Sequence, residues 1–376
     1  MVINMDFKET IMIKPADFKR KVFKKFVLTA DVGGTNTDFA VFGVDAKKTV
    51  VLIFKLHFIS QALQAFKDAI DMTLEYSKKD YKIEITDACF GVAGPLFEDR
   101  QLGDMTNIEW DIDTRILKKE TALKNIILLN DLEAIGFGIE VLPEEDIEEL
   151  AHTDDSTPEP QPKETKVVIA AGTGLGESII PYNHCKKNHI PIPSEGGNSD
   201  MVARTDFQRE MVKYLIEHKL CHMSFYPDWE EVLSGRGIEN MFRFLVDTKK
   251  VKTDKKVKDK INDSDDKAAT IAEFAKQGDK ACGRTMDLFF ELLGQAASSL
   301  ALTTKSIGGL YIAGGIATED IGLLKKSNFM EAFDATRAPN HPLHSVIMKT
   351  PIFIIKNDDI GLYGAANAAA HYQDMF

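Results

Sequence analysis

The sequence predicts an α/β protein built in two halves of related construction, and three observations carry that reading. Short apolar runs alternate with segments whose apolar residues recur every three or four positions, the order that packs helices on a central sheet. A strand that breaks at a glycine-rich turn and then resumes occupies residues 26–42 (F-V-L-T-A-D-V-G-G-T-N-T-D-F-A-V-F). The same pattern returns at 167–180, around G-T-G-L-G.

In the first turn, adjacent Gly33 and Gly34 admit φ > 0 and let a ligand approach the main chain, while Thr35 and Asn36 add a hydroxyl and an amide. The exposed N–H groups of such a turn suit phosphate. A carboxylate at the strand end repels a bare phosphate, so Asp31 fits a hydrated divalent cation held between the two. An ordinary hairpin competes with this reading for one turn alone. The matching turn at Gly172, Thr173 and Gly174 favours a pair of phosphate loops.

The remaining elements follow in order. Residues 50–58 read as a strand and 61–78 as an amphipathic helix. Residues 83–92 read as a strand running into A-G-P-L, and 105–110 (M-T-N-I-E-W) as a loop that holds Asn107. Residues 113–123 have helical spacing, and 125–129 form a buried strand that stops at Asn130-Asp131. Residues 143–166, rich in proline and acids, read as a loop. After the second turn, 191–200 (P-I-P-S-E-G-G-N-S-D) is a loop, 207–218 a helix, and 228–245 a turn followed by a helix. The mixed-charge run 248–266 reads as a solvated insertion. Helices follow at 268–278 and 284–305. A strand at 308–316 ends in Gly314-Gly315, a last strand spans 351–355, and a small-residue helix spans 361–372.

At 376 residues the chain accommodates two domains. Its net charge of -12 disfavours a nucleic-acid backbone or an anionic membrane as partner. The four cysteines have no C-x-x-C spacing and fit unpaired thiols in a reducing compartment. No apolar stretch is long enough to span a membrane, and the first 25 residues lack the marks of a leader. Cytoplasmic residence is the expectation.

In order along the chain stand D-V-G-G-T-N (31–36), M-T-N-I-E-W (105–110), L-N-D-L (129–132), A-G-T-G-L-G (171–176), E-G-G-N-S-D (195–200), E-E-V-L-S-G (230–235) and Y-I-A-G-G-I (311–316). With these motifs the sequence resembles the bacterial-type glucokinases, in the hexokinase branch of the actin-like ATPase superfamily, from about residue 26 to about 370. The resemblance implies two domains of ribonuclease-H-like fold around a cleft that closes on a sugar. The domains are expected at 25–141 plus 358–376 (small) and 142–357 (large), after an N-terminal extension over 1–24. A homodimer is also implied.

The resemblance further implies ATP and Mg²⁺ as cofactors and glucose as substrate. Gly33, Gly34, Thr35, Asn36, Gly172, Thr173 and Gly174 would cradle the triphosphate, with Asp31 on the metal side. Gly314 and Gly315 match the family's adenosine-contacting turn. Asp131, a carboxylate following a buried strand, matches the general base. Asn130, Glu195 and Glu230 match sugar ligands, and Asn107 sits in a loop placed to close on the sugar. Asn198 stands where the family usually has histidine, and its amide can still bond a hydroxyl. Arg204, Arg236 and Arg337 are phosphate-partner candidates left outside this set. Against the kinase reading stand a sugar-responsive repressor and an ATPase without a sugar. The short N-terminal stretch and scattered cysteines disfavour the first, and the E-G-G and E-E-V-L-S-G segments disfavour the second.

Overall fold

In the computed structural model, residues 7–105, 108, 110–221 and 225–372 are described. The chain divides into two compact units, Met1–Pro143 with Asp359–Phe376, and Glu144–Asp358.

The first unit holds a six-stranded sheet made of β1 (Lys8–Ile11), β2 (Phe23–Val32), β3 (Asn36–Asp45), β4 (Val50–Ile59), β5 (Asp87–Val92) and β6 (Asn125–Asn130). Its order is β1-β4-β3-β2-β5-β6. Strands β2, β5 and β6 run parallel, and the rest are antiparallel. The apolar runs are continuous because both faces are covered. Leu28, Ala30, Val41, Phe90 and Leu128 pack in one cluster under the helix Phe66–Tyr76. Their neighbours Val27, Phe42, Cys89 and Leu129 point the other way, against the helices Asp131–Ile139 and Ile360–His371.

The second unit has its own six-stranded sheet: β7 (Ile147–Leu150), β8 (Lys166–Ala171), β9 (Leu175–Ile180), β10 (Ile192–Ser194), β11 (Gly309–Ala313) and β12 (Ile352–Ile355). The order is β7-β12-β11-β8-β9-β10, with β8, β11 and β12 parallel. Each unit therefore has one plan. A strand enters the glycine turn and returns antiparallel, a third strand continues the meander, and two later strands add in parallel on the other side. The helix Lys280–Thr304 lies in the unit's core through Leu288, Phe289, Leu292 and Ala296.

Three segments differ from the sequence reading. The 1–24 stretch is not a mere extension, because Lys8–Ile11 pairs with β4 as an edge strand. The 143–166 segment supplies β7, paired with β12. Within 248–266, the helix Lys255–Asn262 forms, with Asp254 accepting the Lys256 N–H at its N-terminus and Ile261 buried. The acids and lysines had masked one apolar anchor and one cap.

A buried pair fastens β7 to the end of helix Phe329–Asp334. His152 Nδ1 bonds Asp334 Oδ1 at 2.6 Å, and Nε2 reaches the Thr350 carbonyl at 3.1 Å. Burial alone would lower the His152 pKa, but Asp334 and the carbonyl outweigh it and raise it above 6.5. Burial would likewise raise Asp334, yet His152 and the two Thr153 donors hold it below 3.8. The histidine's contribution is complete below 6.5 and is lost as pH rises through its raised folded value. The aspartate's is complete above 3.8 and is lost as pH falls through its lowered value. On this pair's account the second unit is most stable between 3.8 and 6.5. Urea unfolding followed on Trp229 should show stability declining above that window. The decline should flatten in His152→Gln.

Candidate active site

The first half of the site is built at the carboxyl ends of the parallel strands of unit one. Register places Val32, Val92 and Asn130 side by side on β2, β5 and β6, so Asp31 and Asp131 leave the sheet at one edge. Asn130 is the N-cap of the helix Asp131–Ile139, its side chain accepting the Leu132 N–H at 3.0 Å. Asp131 Oδ1 also accepts that N–H, at 2.8 Å. Asn130 takes the capping position, and Asp131 occupies the first helical position beyond it.

The Asp31–Asn36 turn is tied down through its carbonyls. Ser60 Oγ donates to Gly33 O at 2.7 Å and Ser60 N to Thr35 O at 2.9 Å, while Gly33 N reaches Asn36 O. Among the described residues, the N–H groups of Gly34 and Thr35 donate to no acceptor. Two unpaired main-chain donors on one braced turn are what an anion requires.

Asp31 faces an acidic surround. Asp38 lies directly across the hairpin from it, His57 Nδ1 bonds Asp38 at 2.7 Å, and Lys55 pairs with Asp359 at 2.6 Å. Burial pushes the Asp31 carboxyl up to about 7, with Asp131, Asp38 and Asp359 adding to it and Lys55 opposing. This oxygen-only, electron-rich donor set suits a hard cation. No group of three or more metal-ligating side chains converges among the described residues. The arrangement thus fits Mg²⁺ that keeps waters and phosphate oxygens in its shell.

In unit two Glu230 and the second glycine turn are in contact. Glu230 Oε2 accepts the Leu175 N–H at 3.2 Å, and Oε1 accepts from Arg236 at 3.3 Å. A Cβ on Gly174 would stand 2.7 Å from Glu230 Oε2, so only glycine lets the carboxylate sit on the turn. The N–H groups of Thr173 and Gly174 donate to no acceptor among the described residues, as in the first turn. The E-G-G-N loop joins the same cluster: Glu230 N donates to Gly197 O at 3.0 Å, and a Cβ at Gly197 would overlap Leu175 O. Asn198 Nδ2 donates to Glu195 Oε2 at 3.4 Å.

Gly314 completes the neighbourhood. Its φ is 89°, a conformation that L side chains rarely adopt, and a Cβ there would overlap Ala171 O just before the second turn. Gly315 opens the short helix Gly315–Glu319. Gly314→Ala should lower unit-two stability by about 2 kcal/mol through backbone strain and overlap. It should also weaken nucleotide binding, measurable by denaturant titration and by calorimetry with AMPPNP.

The structure thus joins Asp31 with Asp131 and the first turn in unit one, and Glu195, Asn198 and Glu230 with the second turn and Gly314 in unit two. Asn107 lies outside the described residues. Several residues escape sequence reading. Asp38 and His57 arrive by strand register and Asp359 by the returning chain, though counting outward from the Gly-Gly turn does set Asp38 opposite Asp31. Arg236, named from the sequence only as a phosphate-partner candidate, pairs with both Glu230 and Glu231. Glu177, 7% exposed on β9, lies so close behind Gly196 that a Cβ there would overlap its Oε2, and burial raises its pKa to about 7.

Two units on one strand plan, each offering a braced turn with unpaired N–H donors beside carboxylates, define a phosphoryl-transfer protein of the actin-like ATPase fold. The glucokinase family model matches residues 28–372. The glucokinase of Nostoc punctiforme is 32% identical over 356 residues, covering 92% of this chain and 98% of its own. The crystal structure of a glucokinase from an Antarctic psychrotroph matches with a TM-score of 0.76 at 24% identity, over 92% of this chain and 98% of that one. A ROK-family glucokinase from Streptomyces griseus in complex with glucose and AMPPNP matches with a TM-score of 0.61 at 19% identity, over 92% of this chain and 99% of that one. The chain belongs to the glucokinase family of ATP-dependent hexose kinases.

Proposed function

We propose that this chain transfers the γ-phosphoryl group of ATP to the 6-hydroxyl of D-glucose, the entry step of glycolysis, in the cytoplasm and as a homodimer. The observation that carries the reading is the seating of Glu230 on the glycine turn, which puts a sugar-type acceptor within hydrogen-bond distance of a phosphate loop.

Phosphoryl transfer asks for positioning and charge stabilisation more than covalent chemistry. Glu195, Glu230, Asn198 and Asn130 fix the hexose through its hydroxyls, and Asn107 belongs to the same set. Asp131 accepts the proton of the 6-hydroxyl as the bond to phosphorus forms. The N–H groups of Gly34 and Thr35, and of Thr173 and Gly174, donate to phosphate oxygens. Thr35 and Asn36 add side-chain donors, Gly33 and Gly172 leave the main chain uncovered for the phosphates, and Gly314 with Gly315 accepts the adenosine against bare backbone. Asp31 would hold hydrated Mg²⁺, which when bound would neutralise phosphate charge.

A coupled assay of ADP release over a hexose panel, with and without Mg²⁺, tests this. Glucose should give the highest kcat/KM, and chelation should abolish turnover. ADP release that ignores every hexose would overturn the proposal, while a preference for mannose, fructose or glucosamine would reassign the substrate.

A further inference from the structure

Away from these turns, unit two brings two arginines onto one threonine. Arg204, just before the helix Asp206–Glu217, donates from Nη1 to Thr336 Oγ1 at 3.1 Å. Its Nη2 reaches Ser299 Oγ and Gln295 O, both at 3.4 Å. Arg337, just after the helix Phe329–Asp334, donates from Nη1 to the Thr336 carbonyl at 2.7 Å. The Thr336 and Ser298 hydroxyls are 2.5 Å apart.

Neither guanidinium forms an ion pair among the described residues, and the nearby acids are engaged elsewhere. Asp334 binds His152 and Thr153, Asp206 pairs with Arg209, and Glu291 faces Arg284 and Gln208. Like charges repel: Arg204 is exposed as a whole, and the burial of part of its side chain, followed by the Arg337 charge, lowers its pKa from the usual value. In a chain of net charge -12, an arginine pair with no acid paired to it among the described residues is a local positive patch. Forked guanidinium donors match an acceptor-only group with several terminal oxygens.

We propose that Arg204 and Arg337 form a binding site for a phosphoryl group, as inorganic phosphate or as a phosphate monoester. This site is independent of the catalytic reading and uses none of its residues. The ligand replaces the repulsion between the two arginines with charge-assisted hydrogen bonds, so its binding stabilises the unit.

The test uses the full chain saturated with glucose and AMPPNP, so that the phosphate turns are already filled. Inorganic phosphate is titrated in one arm and glucose 6-phosphate in another, at ionic strength held constant with chloride, by calorimetry and thermal unfolding. Wild type should bind saturably and gain Tm. Arg337→Gln should bind at least about tenfold more weakly, as expected for loss of hydrogen bonds to a charged group, with kcat and KM for glucose unchanged. Arg337→Glu should abolish the response and, by pairing with Arg204, raise the ligand-free Tm. Tighter binding of the ester would identify a phosphorylated sugar as the ligand, and equal binding would identify the free ion; both support the site. No saturable response in wild type, an equal response in Arg337→Glu, or lost turnover in Arg337→Gln would overturn it.

Discussion

Asp131→Ala should leave glucose binding measurable while turnover falls by roughly 10²–10⁴-fold, the usual worth of a positioned general base. Asp131 stands at the first position of a helix capped by Asn130, so removing its carboxylate leaves the cap and helix intact. Its hydrogen bond to Leu132 N is shared with Asn130, which limits the structural cost. Asp131→Asn keeps the shape and removes the basicity, and should fall nearly as far. The measurements are kcat by coupled assay and glucose affinity by calorimetry. Loss of affinity with kcat preserved would make Asp131 a sugar ligand only. Turnover near that of wild type would remove it from the chemistry.

The legible parts of this chain are those where one stretch of residues carries the whole signal. Strands β2, β5 and β6 read clearly because both faces of the sheet are buried, which leaves uninterrupted runs such as Phe26–Ala30 and Asn125–Leu129. Edge strands give no such run. Lys8–Ile11 is exposed along its whole length, and Ile147–Leu150 carries two glutamates between its apolar ends. Both form by backbone pairing to a neighbour that sequence spacing does not reveal.

The same division holds at the site. Gly33, Gly34, Gly172 and Gly174 were readable because a turn is local. That Gly174 must be glycine so that Glu230 can rest on it depends on a residue far along the chain. The cluster of Asp38, His57, Lys55 and Asp359 around Asp31 assembles from three strands and the returning helix, so no window of sequence contains it. Asn198 shows what the motif loses on substitution: it bonds Glu195 as an amide, where a histidine could also carry charge.

The second large effect lies behind Asp131, in the ion pair that anchors its helix. Glu133 is 2% exposed, and Arg100 binds it with two hydrogen bonds of 2.6 and 3.1 Å. Burial raises the Glu133 pKa, and the Arg100 hydrogen bond and charge hold it down. Arg100→Met should destabilise unit one by about 3 kcal/mol, the low end for breaking a buried pair, because the arginine side chain is 35% exposed. Without Arg100 the folded-state pKa of Glu133 climbs further above its unfolded value. The native state then binds a proton that the unfolded chain has released, and stability rises as pH falls through the raised value. The deficit should therefore be largest at neutral and alkaline pH and shrink on acidification. In an Arg100→Met, Glu133→Gln double variant most of the loss should return, since no charge is left buried. Denaturant unfolding read on Trp110 in a Trp229→Phe background isolates unit one. A deficit that is independent of pH and survives the second substitution would mean that Arg100 acts through packing of its stem and not through Glu133.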